Sequence, residues 1–303
     1  MILVLTKDLI NHLMVILRLC RVDHYIKNLF ILTPLYFSGE LFEFQKLKWA
    51  LLGLISFSLV GSTIYIFNDI KDAEADRLHP VKKSRPIAAQ EINISWALSL
   101  SFFLLLGGLS LAYYINKTFF FLIITYLLMN IAYTIFLKRL PLIDIFIISI
   151  GFVLRVISGG VISQVKPSHW LIIMVFLLSL FLALGKRRDD LILLKKSNQK
   201  IRESVETYNL RFVDACLTMI CGIIIVCYLM YCISSQVINQ FHSEYLYGTF
   251  IFVLAGVMRY LQIFLVKQRG GSPVKILFKD PFTLINLTIW LLSFYIIIYT
   301  SNL

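Results

Sequence analysis

The sequence predicts an all-α polytopic membrane protein, in which nine transmembrane helices form a single integral membrane domain over residues 1–303. Of the 303 residues 59% are hydrophobic and only 15% are charged, and the mean hydropathy is +0.81. Nine apolar runs are long enough to cross the ~30 Å hydrocarbon layer of a bilayer as helices. They lie at 25–42, 49–67, 95–115, 118–137, 142–163, 168–185, 212–234, 246–266 and 281–300.

Lysine and arginine residues are concentrated in every second connection between these runs. The connections after the second, fourth, sixth and eighth runs carry 19 of them, and the opposite side has only Lys46, Lys48, Lys117 and Lys166. Cytoplasmic loops of membrane proteins carry this excess, so the N-terminus is predicted inside and the C-terminus outside. The net charge of +12 follows from the asymmetry and from phosphate-binding groups, and no nucleic acid partner is implied.

The chain starts with residues 1–20, an apolar segment interrupted by Lys7, Asp8, Asn11 and His12. No small-residue cleavage site follows it, which argues against a cleavable signal. It is predicted to be an amphipathic helix in the cytoplasmic interface. The five cysteines have no CxxC spacing and the five histidines are scattered, so neither a disulfide framework nor a zinc site is expected.

A polar cluster crowds the entrance of the first run, and Lys27 and Asn28 are its innermost members. Charged side chains at membrane depth are costly and usually face a cavity, so both are candidate substrate-binding residues. The alternative for Lys27 is snorkelling toward lipid headgroups. Tyr65, on the second run, is predicted to point into the same cavity or to belong to an aromatic belt.

The second run ends in an unusually acidic motif, Asn68-Asp69-Ile70-Lys71-Asp72-Ala73-Glu74-Ala75-Asp76. Asn68, Asp72 and Asp76 stand at i, i+4 and i+8, which places three oxygen-bearing side chains on one helix face. Such oxygens are ligands for Mg²⁺, which often keeps positions for water and substrate phosphates. The three are predicted metal ligands, with Asp72 and Asp76 catalytic; the alternative is a solvated helix end.

Basic residues follow the acidic motif in the same predicted cytoplasmic loop, 68–93. Lys82, Lys83 and Arg85 are candidate phosphate-binding groups. Acids that hold a metal, followed by bases that hold phosphate, indicate a metal–diphosphate site at the membrane surface.

Further candidates lie on the fourth to sixth runs and beyond. Tyr133 and Lys138 end the fourth run, and Arg155 lies in the middle of the fifth, on the same helix face as Asp144. Arg155 must face the bundle interior, either paired to an acid or as a phosphate ligand. Gly159 and Gly160 are predicted to permit close helix packing.

A second cytoplasmic loop, 186–211, is predicted to start with Lys186 and Arg187, two candidate phosphate ligands. The stretch from Lys195 to Arg211 alternates in charge and is predicted to form a helix on the cytoplasmic surface, carrying Tyr208 as a further candidate.

Taken together, the nine runs, the motif at 68–76 and the pair Lys27-Asn28 resemble the UbiA-type intramembrane prenyltransferase superfamily. Within it, the chain is more similar to the branch that transfers phosphoribose to polyprenyl phosphates, through residues 68–76, 77–89, 144–160 and 185–187. The resemblance covers runs one to six and the next loop. It implies a UbiA-like helix bundle in the bacterial cytoplasmic membrane, with Mg²⁺ as cofactor.

Two departures from the superfamily pattern are informative. Aromatic prenyltransferases of the superfamily have a second motif, DxxxD, after the sixth run, whereas here Leu193 and Leu194 stand four positions after Asp189 and Asp190. Lysine and arginine at 186–188 suit a donor with an additional phosphate instead. At the entrance of the first run, Val22 and Tyr25 stand where the superfamily often has proline and tryptophan.

The implied reaction moves phosphoribose from phosphoribosyl diphosphate to a polyprenyl phosphate lipid in the bilayer and releases diphosphate. Mg²⁺ and nearby bases neutralise the leaving group, and the acceptor phosphate needs no general base. Two alternatives remain: a prenyltransferase that joins a prenyl diphosphate to an aromatic acceptor, and a non-enzymatic lipid-phosphate carrier.

Overall fold

The computed structural model describes residues 2–78, 81–197, 208–266 and 279–300, and every element in these ranges is a helix. Contacts divide the chain into two compact units. Unit 1 comprises Met1–Leu137 and Leu154–Lys166, and unit 2 comprises Lys138–Val153 and Pro167–Leu303.

The α-helices follow one another along the chain with short 3-10 turns between them. They are α1 (Ile2–Leu19), α2 (Thr33–Phe37), α3 (Phe44–Lys71), α4 (Ala73–Leu78), α5 (Ile94–Ile115), α6 (Lys117–Ile135), α7 (Ile143–Ser163), α8 (His169–Ser197), α9 (Leu210–Cys232), α10 (Ser235–Phe241), α11 (Phe250–Leu261) and α12 (Pro281–Thr300). The 3-10 helices are Val22–Leu32, Lys82–Ser84, Leu137–Arg139 and Tyr245–Thr249, and α11 continues as a π-helix, Gln262–Val266.

Eight helical segments within the described ranges are long and apolar enough to cross a membrane, against the nine predicted. They are Phe44–Lys71, Ile94–Ile115, Lys117–Ile135, Ile143–Ser163, His169–Ile192, Leu210–Cys232, Tyr245–Val266 and Pro281–Ile298. They correspond to the second to ninth predicted runs, so the multi-pass architecture is confirmed.

The first predicted run, 25–42, does not form one continuous α-helix. Arg21 has a left-handed backbone (φ 50°) that ends α1, a 3-10 helix (Val22–Leu32) follows, and Pro34 lies in the first turn of α2. The 3-10 helix runs antiparallel to α3, since Tyr25 contacts Ser62 and Asn28 contacts Ser58. The rise is ~2.0 Å per residue in the 3-10 helix and ~1.5 Å per residue in α2. Together these two elements are about as long as the hydrocarbon layer is thick. A crossing by this segment stays a prediction.

In unit 1, α3 packs against the 3-10 helix, α5 and α6 around a core that includes Phe57, Phe119 and Ile123. The second half of α7 comes unusually close to this core. A Cβ atom on Gly159 would lie 2.0 Å from the carbonyl oxygen of Ile31. Only glycine allows this approach, which agrees with the packing role predicted for it.

In unit 2, α8 packs against α9 around Leu184, Val213 and Leu217. The predicted loop 186–211 needs correction, because α8 continues through Ser197 and residues 186–197 are helical. The predicted surface helix lies partly outside the described residues, at 198–207. Tyr208 precedes α9 and is buried, so it does not lie on an exposed helix.

Candidate active site

The three predicted metal ligands lie where α3 gives way to α4. Asp72 caps the C-terminus of α3, yet the helical hydrogen bonds continue: the amide of Asp72 donates to the carbonyl of Asn68 (3.0 Å), and that of Asp76 to the carbonyl of Asp72 (2.8 Å). The backbone of the motif therefore stays helical across the junction. Asp76 is buried, while Asn68 and Asp72 are partly exposed.

Asp76 is surrounded by two bases of the adjoining basic segment. Nη1 of Arg85 donates to Oδ2 of Asp76 (2.5 Å), and Nζ of Lys82 lies 3.9 Å from its Oδ1. The structure thus brings one predicted metal ligand, Asp76, and two predicted phosphate ligands into one cluster of unit 1. Lys83, on the same 3-10 turn, is exposed.

Asp69 is a member of this cluster that sequence reasoning missed. Its side chain is only 2% exposed, and its Oδ1 accepts hydrogen bonds from Arg21 and from Nη1 of Arg85 (3.1 Å). One guanidinium therefore bridges Asp69 and Asp76, which stand two helical turns apart. The seven-residue spacing of two acids, the first inside an apolar helix, was the signal available.

Tyr65 lies against the same cluster. The guanidinium carbon of Arg21 is 4.8 Å from the centre of the Tyr65 ring, and the ring of His24 meets it edge-on at 5.2 Å. This contact favours the predicted cavity role of Tyr65 over a place in an aromatic belt.

A second polar network of unit 1 surrounds Arg155. Its Nε donates to Oδ1 of Asn28 and its Nη2 to the hydroxyl of Tyr126, both at 2.8 Å, while the amide of Asn28 donates to Ser58 (2.9 Å). The guanidinium carbon also lies 4.9 Å from the centre of the Phe57 ring. Arg155 is thus held in the interior, as predicted, and the structure adds Tyr126 to its contacts.

Lys27 brings a further positive charge to this region. It is partly buried, lies close enough to Arg155 and Arg21 for their charges to interact, and makes no hydrogen bond or ion pair within the described part of the chain. Like charges gathered at a partly buried site repel one another. An anionic ligand would relieve that repulsion.

The donor set at Asn68, Asp72 and Asp76 fits Mg²⁺. In the described ranges no three His, Cys, Asp or Glu side chains are arranged to hold a metal ion by themselves. Two carboxylates and an amide are nevertheless a suitable partial set, since magnesium commonly completes its six ligands with water and substrate phosphates.

Unit 2 contains a different Asp–Arg cluster. Nε of Arg187 lies 2.9 Å from Oδ2 of Asp144, and its Nη1 donates to Asp190 (2.8 Å). Arg187 is 1% exposed and Asp144 is fully buried. Next to them in sequence, Arg188 donates to Asp214 (2.6 Å). Arg187 therefore has two carboxylate partners inside unit 2, which favours a structural role over the phosphate-binding role predicted for it.

Tyr208 completes the unit 2 cluster. Its hydroxyl accepts a hydrogen bond from the amide of Leu142 (2.5 Å) and donates to Oδ1 of Asp144 (3.2 Å). Burial, with Asp144 nearby, raises the pKa of Tyr208 to about 12. Tyr208 is thus a neutral donor to a buried carboxylate.

The remaining candidates lie at the ends of helices. Lys186 is exposed on α8, one residue before the buried Arg187. Tyr133 is partly buried near the end of α6 in unit 1, and Lys138 lies in the next 3-10 turn, in unit 2. The substrate-binding roles of all three stay predictions.

The model of the UbiA prenyltransferase family matches residues 29–292, which is most of the chain. The decaprenyl-phosphate phosphoribosyltransferase of Mycolicibacterium smegmatis is 31% identical over 306 residues, covering 97% of this chain and 95% of the relative. The protein of the same name from Mycobacterium tuberculosis is 29% identical over 229 residues, 74% of this chain and 76% of that one.

The fold is similar to that of solved structures as well. A UbiA homolog from Archaeoglobus fulgidus bound to GPP and Mg²⁺ superposes with a TM-score of 0.69 at 19% identity, covering 94% of this chain and 99% of that one. At this identity the likeness shows the fold alone. The all-helical UbiA-type architecture is thereby confirmed.

Proposed function

The chain belongs to the UbiA prenyltransferase family, and from this premise we propose that it transfers 5-phosphoribose from phosphoribosyl diphosphate to a polyprenyl phosphate. It is a multi-pass membrane enzyme. In the proposed reaction an oxygen of the lipid phosphate forms a bond to C1 of the ribose. The bond between C1 and the diphosphate breaks, and diphosphate leaves with the electron pair.

One observation carries the proposal: in unit 1 the predicted metal ligand Asp76 is contacted by two predicted phosphate ligands, Arg85 and Lys82. Such an arrangement suits a diphosphate, which needs both a divalent cation and basic groups. Support for a phosphoribosyl donor comes from the relatives' names and from the missing DxxxD motif after the sixth run.

Each residue has a role that follows from its chemistry. Asn68, Asp72 and Asp76 would hold Mg²⁺, which supplies charge neutralisation of the leaving diphosphate. Arg85 and Lys82 bind diphosphate oxygens. Arg155, fixed by Asn28 and Tyr126, offers charge to a second phosphate group, and Lys27 adds to it.

No general base is required, because the phosphate of the acceptor lipid is already ionised. The residues therefore act by positioning the two substrates and by stabilising charge that develops at the leaving group. A bilayer location suits this reaction, since one substrate is soluble and the other is a lipid.

The test uses membranes that contain the protein, Mg²⁺ and one of two substrate pairs. The first is radiolabelled phosphoribosyl diphosphate with polyprenyl phosphate, and the second is radiolabelled prenyl diphosphate with 4-hydroxybenzoate. We expect label from the ribose to appear in the lipid fraction, and the label to be lost when Mg²⁺ is chelated. Membranes carrying Asp76→Asn are the negative control, and Glu74→Gln, at an exposed acid of α4, is the matched positive control.

Transfer of the prenyl label with no transfer of ribose label would replace this proposal by the aromatic prenyltransferase. That alternative accounts for the first acidic motif, but this chain lacks the second motif, DxxxD, that aromatic prenyltransferases of the superfamily have. Transfer of neither label, in membranes where the protein is folded, would favour the lipid-phosphate carrier.

We also propose that the acid–base cluster faces the cytoplasm, which the Lys and Arg asymmetry supports. Lys83 is exposed beside the cluster and therefore reports its side of the membrane. In Lys83→Cys, the thiol should react with a membrane-impermeant reagent only after the cytoplasmic face is made accessible. Labelling from the periplasmic side alone would overturn the orientation.

A further inference from the structure

One nitrogen of Arg85 contacts two aspartates at the proposed metal site. Its Nη1 lies 2.5 Å from Oδ2 of Asp76 and 3.1 Å from Oδ1 of Asp69. On the other oxygen of Asp76, Nζ of Lys82 lies at 3.9 Å. Both oxygens of Asp76 therefore have a protein cation beside them, although this carboxylate is proposed to hold Mg²⁺.

A metal ion on Asp76 would meet these cations. Magnesium binds carboxylate oxygens at about 2.0–2.1 Å, so on either oxygen it would lie a few ångströms from Arg85 or Lys82. Charges of like sign at that separation repel strongly in a partly buried site. Arg85 therefore lowers the affinity of the site for a metal that arrives alone. A diphosphate removes the conflict, because its oxygens offer the guanidinium a new bidentate partner.

Arg85 is free to change partners in a way that Arg21 is not. The side chain of Arg85 is 23% exposed. The residue comes directly after a three-residue 3-10 turn, and its backbone is extended (φ −67°, ψ 139°). Arg21 is 16% exposed and its guanidinium lies over the Tyr65 ring. When Arg85 moves, Asp69 keeps Arg21, so no buried carboxylate loses its last partner, which would be costly.

We propose that Arg85 is an autoinhibitory counter-ion that makes metal binding depend on donor binding. Without donor it holds Asp76; with metal and donor present it moves to the diphosphate. The inference rests on the proposed function, since it requires Mg²⁺ at Asp76. Its consequence is an order of binding, in which the metal enters with the diphosphate rather than before it.

The test compares two titrations of the purified full-length protein by calorimetry. The first uses Mg²⁺ alone, and the second uses preformed magnesium diphosphate. In Arg85→Ala, the affinity for Mg²⁺ alone should rise about tenfold and that for magnesium diphosphate should fall about tenfold, as expected for one charged contact. A variant that merely disturbs the fold would weaken both, so the opposite signs are the signature. Arg85→Lys should lie between Ala and wild type in both titrations.

The matched control is Arg77→Ala, an exposed arginine of α4, which should change neither affinity. An Arg85→Ala protein whose affinity for Mg²⁺ alone is unchanged or lower would overturn the inference while leaving the proposed function standing. A wild type that fails to bind magnesium diphosphate would overturn the proposed metal site, and the inference with it. Detectable Mg²⁺ binding in Arg85→Ala but not in wild type supports the inference.

Discussion

The two units each contain a cluster of aspartates and arginines, and the clusters differ in exposure. In unit 1 the side chains of Arg21 and Arg85 are 16% and 23% exposed around Asp69 and Asp76. In unit 2, Arg187 is 1% exposed and Asp144 is fully buried. The residue types are the same, and sequence reasoning treated one arginine of each cluster, Arg85 and Arg187, as a phosphate ligand.

The difference shows which pairs can exchange and which cannot. Separating a buried ion pair leaves an uncompensated charge and costs about 3–5 kcal/mol, whereas water shares the cost at a partly exposed pair. The unit 1 cluster is therefore suited to give up its arginine to a substrate, and the unit 2 cluster is suited to fix the structure around Asp144.

The largest effect is expected for the unit 2 cluster, around Arg187 and Asp144. Asp144→Ala and Arg187→Ala should each lower the free energy of unfolding by about 3 kcal/mol, because each breaks a buried ion pair by removing one partner. The double variant should lose clearly less than the sum of the two. Thermal unfolding of the purified protein measures this. Arg85→Ala, as the partly exposed counterpart, should change stability far less, and an equal loss in both would break the comparison.

The next largest effect is a loss of turnover in variants of the proposed metal site in unit 1. Asp72→Asn and Asp76→Asn should each reduce turnover at least a hundredfold, since each removes a negative charge from the proposed metal site. The protein should remain folded in the membrane. Turnover is measured across a magnesium titration with Glu74→Gln as control, and normal activity of Asp72→Asn at every concentration would refute the metal assignment.

A smaller effect, on the KM of the donor, is expected at Lys186, the neighbour of Arg187. Lys186 is exposed, so Lys186→Ala should raise the KM of the donor about tenfold with no loss of stability, as expected for one phosphate contact. Ribose 5-phosphate should inhibit the wild type and inhibit this variant less. If ribose 5-phosphate does not compete even at high concentration while geranyl diphosphate does, the phosphoribosyl donor must be given up.

The smallest effect concerns Tyr208, which adds a neutral hydrogen bond to the unit 2 cluster. Tyr208→Phe should lower the free energy of unfolding by about 1 kcal/mol, because the hydroxyl serves both Asp144 and the amide of Leu142.

The same residue predicts a pH dependence. Its pKa is raised from 10.0 to about 12 in the folded protein, so its contribution to stability is complete below pH 10 and is lost as the pH rises through 12. Unfolding curves of wild type and Tyr208→Phe should therefore converge in that range. A constant difference between them would show that the hydroxyl is not the group that titrates.

Local pattern was enough to predict much of this molecule. Apolar runs are set by composition over some twenty residues, so eight of the nine predicted spans appear as helices. The four-residue spacing of Asn68, Asp72 and Asp76 survives the break at the end of α3, because the backbone hydrogen bonds continue through it. Both features depend on neighbours along the chain.

Local pattern did not predict the secondary structure of the first run. The run was predicted as a plain helix, yet it is a 3-10 helix and a short α-helix divided near Pro34. In this segment Tyr25 and Asn28 form hydrogen bonds with serines of α3. A run of apolar letters carries no information about those contacts.

By itself, the sequence determined that this is a membrane protein with an acidic motif at the end of one helix and basic residues beyond it. Only the tertiary structure decided the partner of each charge. It joins Arg85 to Asp69 and Asp76, Arg155 to Tyr126, and Arg187 to Asp144. The physical reason is that a buried charged group needs an ionic or hydrogen-bonding partner close in space, and in a helix bundle that partner is often tens of positions away along the chain.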